Sequence, residues 1–201
     1  QTYTPDTITI DSDQVYFKIN QGSIWDGKTL HELYEEAYMP WDWQPKLREV
    51  ANEIGLDLFS TPFDFTAVDF LEDMEVPVYK VASPEVIDIP LLEKIASTGK
   101  PIIMSNGMAS LAEIDEAIQA IRGVNARAEI VLLKCTAAYP APMEEANLLT
   151  IPYLQQTFGV PIGLSDHTMG TDVPVAAAAL GACVIEKHFT LDKNFWNSLK
   201  R

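Results

Sequence analysis

Residues 162–188 read IGLSDHTMGTDVPVAAAALGACVIEKH, and this stretch decides the fold class. It opens with a short apolar run at 162–165 and closes with a second run, rich in branched residues, at 184–188. Between them, 173–180 is almost wholly apolar and rich in alanine, which predicts a small buried helix. Two such runs joined by a helix form a βαβ unit, and strands with little polar alternation are typical of a parallel sheet covered on both faces.

The same unit recurs along the chain. Short apolar runs that predict strands occur at 56–60, 78–82, 102–105, 130–135, 162–165 and 184–188, with helix-period patterns between them. Six units at near-constant spacing favour an α/β fold of the TIM-type (β/α) barrel class, and a doubly wound sheet stays open as the alternative. No Gly-x-Gly-x-x-Gly motif or P-loop follows any of these runs, which argues against a nucleotide-binding version of that sheet.

The predicted helices carry recognisable boundary residues. Asp64 precedes an apolar helical face, and Ser110 with Glu113 has the spacing of a capping box. Trp43 fits the apolar face of a third helix, which predicts a core position for its ring. Residues 6–30 are the least regular part of the chain and predict a long loop that forms a lid or a rim segment.

The composition is globular and strongly acidic. The 201 residues are 47% hydrophobic and carry a formal net charge of −15. This charge argues against nucleic acid and anionic membranes as partners, so local cations must hold any anionic ligand. Cys135 and Cys183 lie in apolar runs, which predicts two core thiols in a reducing, cytoplasmic compartment. No apolar run reaches the length of a membrane span, and no signal peptide is recognisable.

Polar residues cluster where the predicted strands end. In a barrel the carboxyl ends of the strands carry the chemistry, and a serine or threonine lies at five of the six ends here. A single hydroxyl at such a place is more often a helix N-cap. Several hydroxyls at one barrel mouth, together with a lysine, predict a phosphate-binding site.

Two of the three histidines end consecutive predicted strands. His167 and His188 should therefore lie close together at the barrel mouth, whereas His31 lies in a predicted exposed helix. Each could be an ordinary hydrogen-bonding histidine, but the pair predicts a divalent-metal site. Two protein ligands suit an exchangeable Mn²⁺ or Mg²⁺ ion, completed by water and substrate, better than a structural zinc.

Six motifs occur in a fixed order: FSTPFD, YKVAS-x-E, GKPIIMS-x-GMAS, KCTAAYPAP, IGLSDHTMG and VIEKHFTLDK. This ordered set resembles the sialic acid synthase family, over 1–193. The stretches QTYTPDTITID and LYEEAYMPWDWQPKL are more similar to its pseudaminic acid synthase branch than to its N-acetylneuraminate branch.

The resemblance implies a TIM-barrel transferase that condenses phosphoenolpyruvate with an open-chain N-acetylated amino sugar and releases phosphate. It also implies a divalent metal (Mn²⁺, Mg²⁺ or Co²⁺) and, for the full-length form, a homodimer. An N-acetylneuraminate or legionaminate synthase of the same family stays open, as does an inactive truncated remnant. A barrel aldolase with a Schiff-base lysine is the remaining alternative.

The resemblance also implies roles for nine residues. The positions that match phosphoenolpyruvate ligands are Thr61, Lys80, Ser83, Ser105 and Ser165. Tyr139 matches a position that lines the sugar site, and His167 and His188 match the metal ligands. Glu85 matches a carboxylate that contacts the sugar and handles protons, so Glu85 and Lys80 are the expected catalytic residues.

The two ends of the chain lead to a further expectation. The family pattern should begin before Gln1, and the final residues NFWNSLKR do not continue it. We therefore predict a partial catalytic barrel over 1–193, incomplete at both ends, and a divergent tail over 194–201. Open strand edges pair with other chains, so we expect the 201 residues alone to associate and to lack synthase turnover.

Overall fold

A computed structural model describes residues 1–20, 22 and 25–192, and a parallel sheet lies at its centre. Its strands are β1 (Tyr79–Val81), β2 (Ile102–Ser105), β3 (Ile130–Cys135), β4 (Ile162–Asp166) and β5 (Ile185–Lys187). They are neighbours in chain order, and every neighbouring pair is parallel. This curled, consecutive arrangement is half of a TIM-type barrel. It confirms the predicted α/β barrel class over the doubly wound sheet, whose strand order reverses.

A helix follows each of the first four strands and returns the chain to the start of the next. The helices are α1 (Pro5–Ile8), α2 (Leu30–Ala37), α3 (Trp43–Glu53), α4 (Phe65–Asp73), α5 (Ile89–Ser97), α6 (Leu111–Val124), α7 (Thr150–Phe158) and α8 (Asp172–Ala179). The predicted caps are confirmed. Asp64 accepts hydrogen bonds from the first turn of α4, and Ser110 with Glu113 forms the capping box of α6.

The core fills the space between the sheet and helices α4 to α8. One face of α6 is fully buried there, and its residues recur at the helical period: Ile114, Ala117, Ile118 and Ile121. Leu132 of β3 and Leu164 of β4 contribute from the sheet. This packing fixes the strands relative to one another and therefore fixes the positions of the side chains at their carboxyl ends.

The predicted strand at 56–60 is wrong, because the structure has no regular strand there. One backbone hydrogen bond connects this segment to β1, from Lys80 N to Ser60 O at 3.3 Å. A ladder needs successive bonds. The following residues are instead held by Thr2, which donates to the carbonyl of Thr61 at 2.8 Å and forms a parallel bridge with Pro62.

Three predictions about burial are also wrong. Trp43 is 55% exposed rather than part of the core, and Val175 in the supposedly buried helix α8 is 68% exposed. Cys183 is exposed, and Cys135 is half-buried at the end of β3. In each case the pattern identified an apolar side chain, but burial depends on what packs against that side chain, which no local pattern encodes.

The described residues between Asp6 and Leu30 are largely irregular, as predicted. They include the end of α1, a 3₁₀ turn at Val15–Phe17 and an isolated bridge between Lys18 and Thr29. His31, at the start of α2, lies 3.0 Å from Asp6 and is not among the residues that line the cavity described below. None of the helices in the described ranges combines the length and hydropathy that a bilayer crossing needs.

Candidate functional site

A cavity of about 270 Å³ opens at the carboxyl ends of the strands. All five strands contribute to its lining, which consists of Gln1, Thr61, Lys80, Ala82, Ser83, Ser105, Cys135, Tyr139, Ser165, Asp166, His167, Glu186, Lys187 and His188. Eight of the nine predicted site residues are in this set, and Glu85 is not. Residues from widely separated parts of the chain therefore lie together in one cavity, as expected for the predicted barrel.

Lys80 is the centre of a hydrogen-bond network in this cavity. Its ammonium donates to Ser105 Oγ at 2.8 Å and to the Val81 carbonyl at 2.7 Å, and it lies 3.7 Å from Glu186 Oε2. Glu186 accepts a hydrogen bond from Ser165 Oγ at 2.6 Å. Burial lowers the pKa of Lys80, although the neighbouring Glu186 carboxylate opposes that effect. A partly desolvated cation among hydroxyl groups can bind an anion strongly.

The loop after β2 completes the mouth of the cavity through a close backbone approach. The amide of Gly107 donates to Ser83 Oγ at 2.9 Å. A Cβ atom at Gly107 would lie 3.0 Å from Ser83 Oγ and 3.1 Å from Cys135 Sγ. A Cβ here would therefore displace one of these side chains by a few tenths of an ångström, so glycine favours the close approach that holds the Ser83 side chain beside the cavity.

His167 and His188 are neighbours in the cavity, with ring centroids 5.3 Å apart. His167 Nδ1 lies 2.9 Å from the Thr136 carbonyl, so this nitrogen carries a proton and donates, and Nε2 has a free lone pair when the ring is neutral. The hydrogen bond with Cys135 raises the pKa of His167, so a cation at Nε2 must compete with a proton. Burial lowers the pKa of His188, and His167 lowers it further, which favours a neutral imidazole. The predicted proximity is confirmed, and metal binding by the pair stays a prediction.

The donor set fits an exchangeable divalent cation. Neutral imidazole nitrogens are good ligands for such ions, and a carbonyl that fixes the tautomer of His167 is a typical outer partner of a metal-binding histidine. Within 1–20, 22 and 25–192, no group of three or more His, Cys, Asp or Glu residues is placed to hold a metal. Water and substrate oxygens would have to supply the remaining ligands.

Tyr139 covers one side of the histidine pair. Its ring centroid lies 4.2 Å from that of His167 and 5.7 Å from that of His188. The ring is also 62% exposed. An aromatic ring that contacts both imidazoles and faces solvent is suited to line a site for a second, larger substrate.

An ion pair lies next to the two histidines in sequence and in space. Asp166 is buried and accepts hydrogen bonds from the Thr168 amide at 3.0 Å, from the Thr168 hydroxyl at 2.8 Å and from the Lys187 ammonium. Lys187 also donates to the Thr168 carbonyl at 2.7 Å. Burial by itself would raise the pKa of Asp166, but these bonds outweigh it and hold that pKa below its usual value.

Glu85 lies in the 3₁₀ turn Pro84–Ile87 that follows β1, outside the cavity lining. Its Oε2 atom is buried, with no hydrogen-bond partner among the described residues. Burial raises the pKa of this carboxyl group, although the nearby Lys80 lowers it. Of the nine predicted site residues, Glu85 is the one that this structure does not bring to the cavity surface.

Four cavity residues with titratable side chains were not among the predicted site residues: Cys135, Asp166, Glu186 and Lys187. All four lie on predicted strands or at their ends. The missing signal was the register between β4 and β5, which pairs Ser165 with Glu186 and Asp166 with Lys187. Had this register been known, Ser165 and Asp166 on β4 would have indicated that Glu186 and Lys187 on β5 lie beside them.

Comparisons with known proteins agree with this geometry. The model of the NeuB family matches residues 1–198. A pseudaminic acid synthase from Helicobacter pylori is 47% identical over 194 residues, and an N,N'-diacetyllegionaminic acid synthase from Campylobacter jejuni is 48% identical over 145 residues. These alignments cover 96% and 72% of this chain.

A solved structure is similar to this chain in both fold and sequence. The N-acetylneuraminic acid synthetase of Leptospira borgpetersenii, crystallised with citrate, superimposes with a TM-score of 0.78 at 34% identity, covering 83% of this chain and 58% of that one.

The chain spans about half the length of the curated relatives it matches, 56% of the Helicobacter protein and 43% of the Campylobacter protein. The part of the chain that the NeuB family model matches includes all five strands and every residue of the cavity lining. The predicted boundary between 193 and 194 lies outside the described residues, so it stays a prediction. The family model and the identity to the pseudaminic acid synthase both show that this chain belongs to the NeuB family.

Proposed function

We propose that this chain carries the catalytic barrel of a nonulosonic acid synthase of the pseudaminic acid synthase type. Such an enzyme is a transferase that joins phosphoenolpyruvate to an open-chain N-acetylated amino sugar through a new carbon–carbon bond. The observation that carries the proposal is the single cavity in which a buried lysine, several hydroxyl groups and a histidine pair meet. Sequence similarity to a pseudaminic acid synthase over 96% of the chain supports it.

The phosphoenolpyruvate end of the site is built around Lys80. Its ammonium supplies the local positive charge that an anionic ligand needs in a protein with a net charge of −15. The hydroxyl groups of Thr61, Ser83, Ser105 and Ser165 surround the same cavity and can donate to phosphate and carboxylate oxygens. Lys80, Ser105 and Ser165 lie on β1, β2 and β4, Ser83 follows β1, and the Thr61 backbone is held by Thr2, so the site is largely formed before the ligand arrives.

The sugar end lies at the histidine pair and Tyr139. His167 and His188 would hold the divalent metal, which when bound polarises the aldehyde oxygen of the sugar. The tautomer of His167, fixed by the Thr136 carbonyl, keeps Nε2 available for that purpose. Mn²⁺, Mg²⁺ and Co²⁺ remain the candidate ions. Tyr139 provides an aromatic surface against which the sugar chain can pack.

The proposed reaction balances with these groups in place. The methylene carbon of phosphoenolpyruvate bonds to the aldehyde carbon with the electron pair of its C=C π bond, and the aldehyde oxygen gains a proton. Water adds to the carbon that bears the phosphate ester, and the C–O bond to phosphate breaks. Lys80 and the hydroxyl groups hold the anion in position for this addition. We assign proton transfer to Glu85, whose buried carboxyl has a raised pKa, although it must approach the cavity to act.

The N,N'-diacetyllegionaminic acid synthase and the N-acetylneuraminic acid synthetase among the similar proteins support the two alternative sugars. The cavity residues in common do not distinguish the configuration of the sugar. Homodimer formation, a cytoplasmic location and the lack of nucleic-acid and membrane partners stay predictions.

The reaction is tested by phosphate release from phosphoenolpyruvate with a panel of N-acetylated amino sugars that differ in configuration. The assay uses the full-length product of the gene that encodes this chain, with Mn²⁺ present. We expect release that requires the sugar and a product whose mass is the sum of both substrates and water, less phosphate. In H₂¹⁸O the phosphate should stay unlabelled, because the C–O bond breaks. Labelled phosphate, or release without a sugar, would contradict the proposal.

Metal binding by the histidine pair can be measured separately. We expect the double variant His167→Ala, His188→Ala to lose Mn²⁺ binding in an electron paramagnetic resonance titration, because it removes both nitrogen donors. His31→Ala is the matched control, since His31 lies beside Asp6 rather than at the cavity. Mn²⁺ binding of equal strength in the double variant and in His31→Ala would remove the metal from this site.

A further inference from the structure

His188 depends on the placement of strand β5. The ring contacts Tyr139 and His167, but it makes no hydrogen bond within the described ranges, in contrast to His167. In those same ranges β5 pairs only with β4, and every β5 residue is at least partly exposed. Apolar burial therefore contributes little to fixing β5, and polar contacts with β4 must supply most of the precision.

The ion pair between Asp166 and Lys187 lies at the last rung of the β4–β5 ladder. Asp166 directly precedes His167 in the chain, and Lys187 directly precedes His188. Lys187 makes two contacts across the rung, to the Asp166 carboxylate and to the Thr168 carbonyl. The side chain of Asp166 is 1% exposed, so this ion pair is far less screened by water than a surface pair.

We propose that Asp166 and Lys187 are positioning residues that set the distance between the two imidazoles for a divalent cation. The proposal rests on the metal site of the proposed function. Because each member of the pair is the chain neighbour of one histidine, a shift at this rung changes the separation of the rings directly. A second hydrogen bond between the two strands, from Ser165 to Glu186, lies one residue pair earlier in the ladder and does not involve Thr168.

A purely electrostatic role and a positioning role of Lys187 predict opposite effects of one substitution on Mn²⁺ affinity. Lys187→Met removes a positive charge beside the cavity, which by Coulomb attraction alone should leave Mn²⁺ affinity unchanged or increase it. If Lys187 positions His188, the same substitution should weaken Mn²⁺ binding about 10- to 100-fold, the usual effect of losing an outer partner of a metal ligand. The sign of the change therefore separates the two explanations.

The experiment is a Mn²⁺ titration by electron paramagnetic resonance on the wild type, Lys187→Met and Lys187→Arg. Thermal unfolding without metal is measured in parallel. We expect 10- to 100-fold weaker binding for Lys187→Met in protein that is still folded, and recovery to within about threefold of wild type for Lys187→Arg, which restores the donors. Wild-type or tighter affinity in Lys187→Met would overturn the positioning role, even if that variant melts earlier.

A second variant covers the case in which Lys187→Met does not fold. Thr168→Val removes one hydrogen bond to Asp166 and changes no charge, and we expect Mn²⁺ binding about two- to fivefold weaker, the scale of one hydrogen bond. Unchanged affinity in folded Thr168→Val would then overturn the proposal. Failure of the metal site itself has a different signature, because the wild type would then bind Mn²⁺ no better than the double histidine variant.

Discussion

Gly163→Ala should destabilise the protein by about 3 kcal/mol and lower its melting temperature by roughly 6–12 °C. Gly163 lies in the middle of β4, opposite Leu133 of β3. An added Cβ would lie 2.5 Å from Leu133 Cδ2, 2.5 Å from the Val184 carbonyl oxygen and 3.0 Å from Val184 Cβ. The leucine tip can move, but the Val184 carbonyl belongs to the backbone and accepts the amide of Leu164.

The extra methyl group must therefore push the start of β5 away from β4. Gly123→Ala is the matched control, since nothing lies within 4 Å of a Cβ at Gly123, in helix α6. There we expect a gain of about 0.5–1 kcal/mol, because alanine loses less conformational entropy in a helix. Urea and thermal unfolding of the two variants measure both effects. Equal stability of Gly163→Ala and the wild type would show that β5 does not pack as described.

Lys80→Met should weaken phosphoenolpyruvate binding by about 1.5–3 kcal/mol, or roughly 10- to 100-fold. The substitution keeps most of the side-chain volume and removes the ammonium group that donates to Ser105 and lies beside Glu186. The loss should lie toward the upper end, because Glu186 then stays in the cavity without its cation and repels the anion.

Isothermal titration of phosphoenolpyruvate measures this loss, and Lys94→Met controls for net charge. Lys94 pairs with Asp69 on the outer surface, so its removal should leave binding unchanged. Equal weakening by both substitutions would mean that only the overall charge matters. Lys187, the other lysine of the cavity lining, is already engaged by Asp166 and Thr168 and should not replace Lys80.

Local patterns were sufficient for much of the fold. All five strands of the sheet were predicted almost to the residue, because short branched runs between capped helices leave little choice of conformation. The capping box at Ser110 and the buried face of α6 follow from spacing alone. The segment at 56–60 failed, because its sequence is strand-like while its hydrogen bonds depend on neighbours that are distant in the chain.

The candidate site, like the fold, could be predicted only in part from the sequence. The sequence by itself determined which residue types lie at the strand ends and that parallel strands bring those ends together, so Lys80, the hydroxyl groups and the histidine pair could be predicted. Only the tertiary structure decided that Glu186 lies between Lys80 and Ser165, that Asp166 pairs with Lys187, and that Glu85 stays off the cavity surface. The physical reason is that strand ends follow from local periodicity, whereas register, side-chain direction and burial depend on contacts between elements that no single segment encodes.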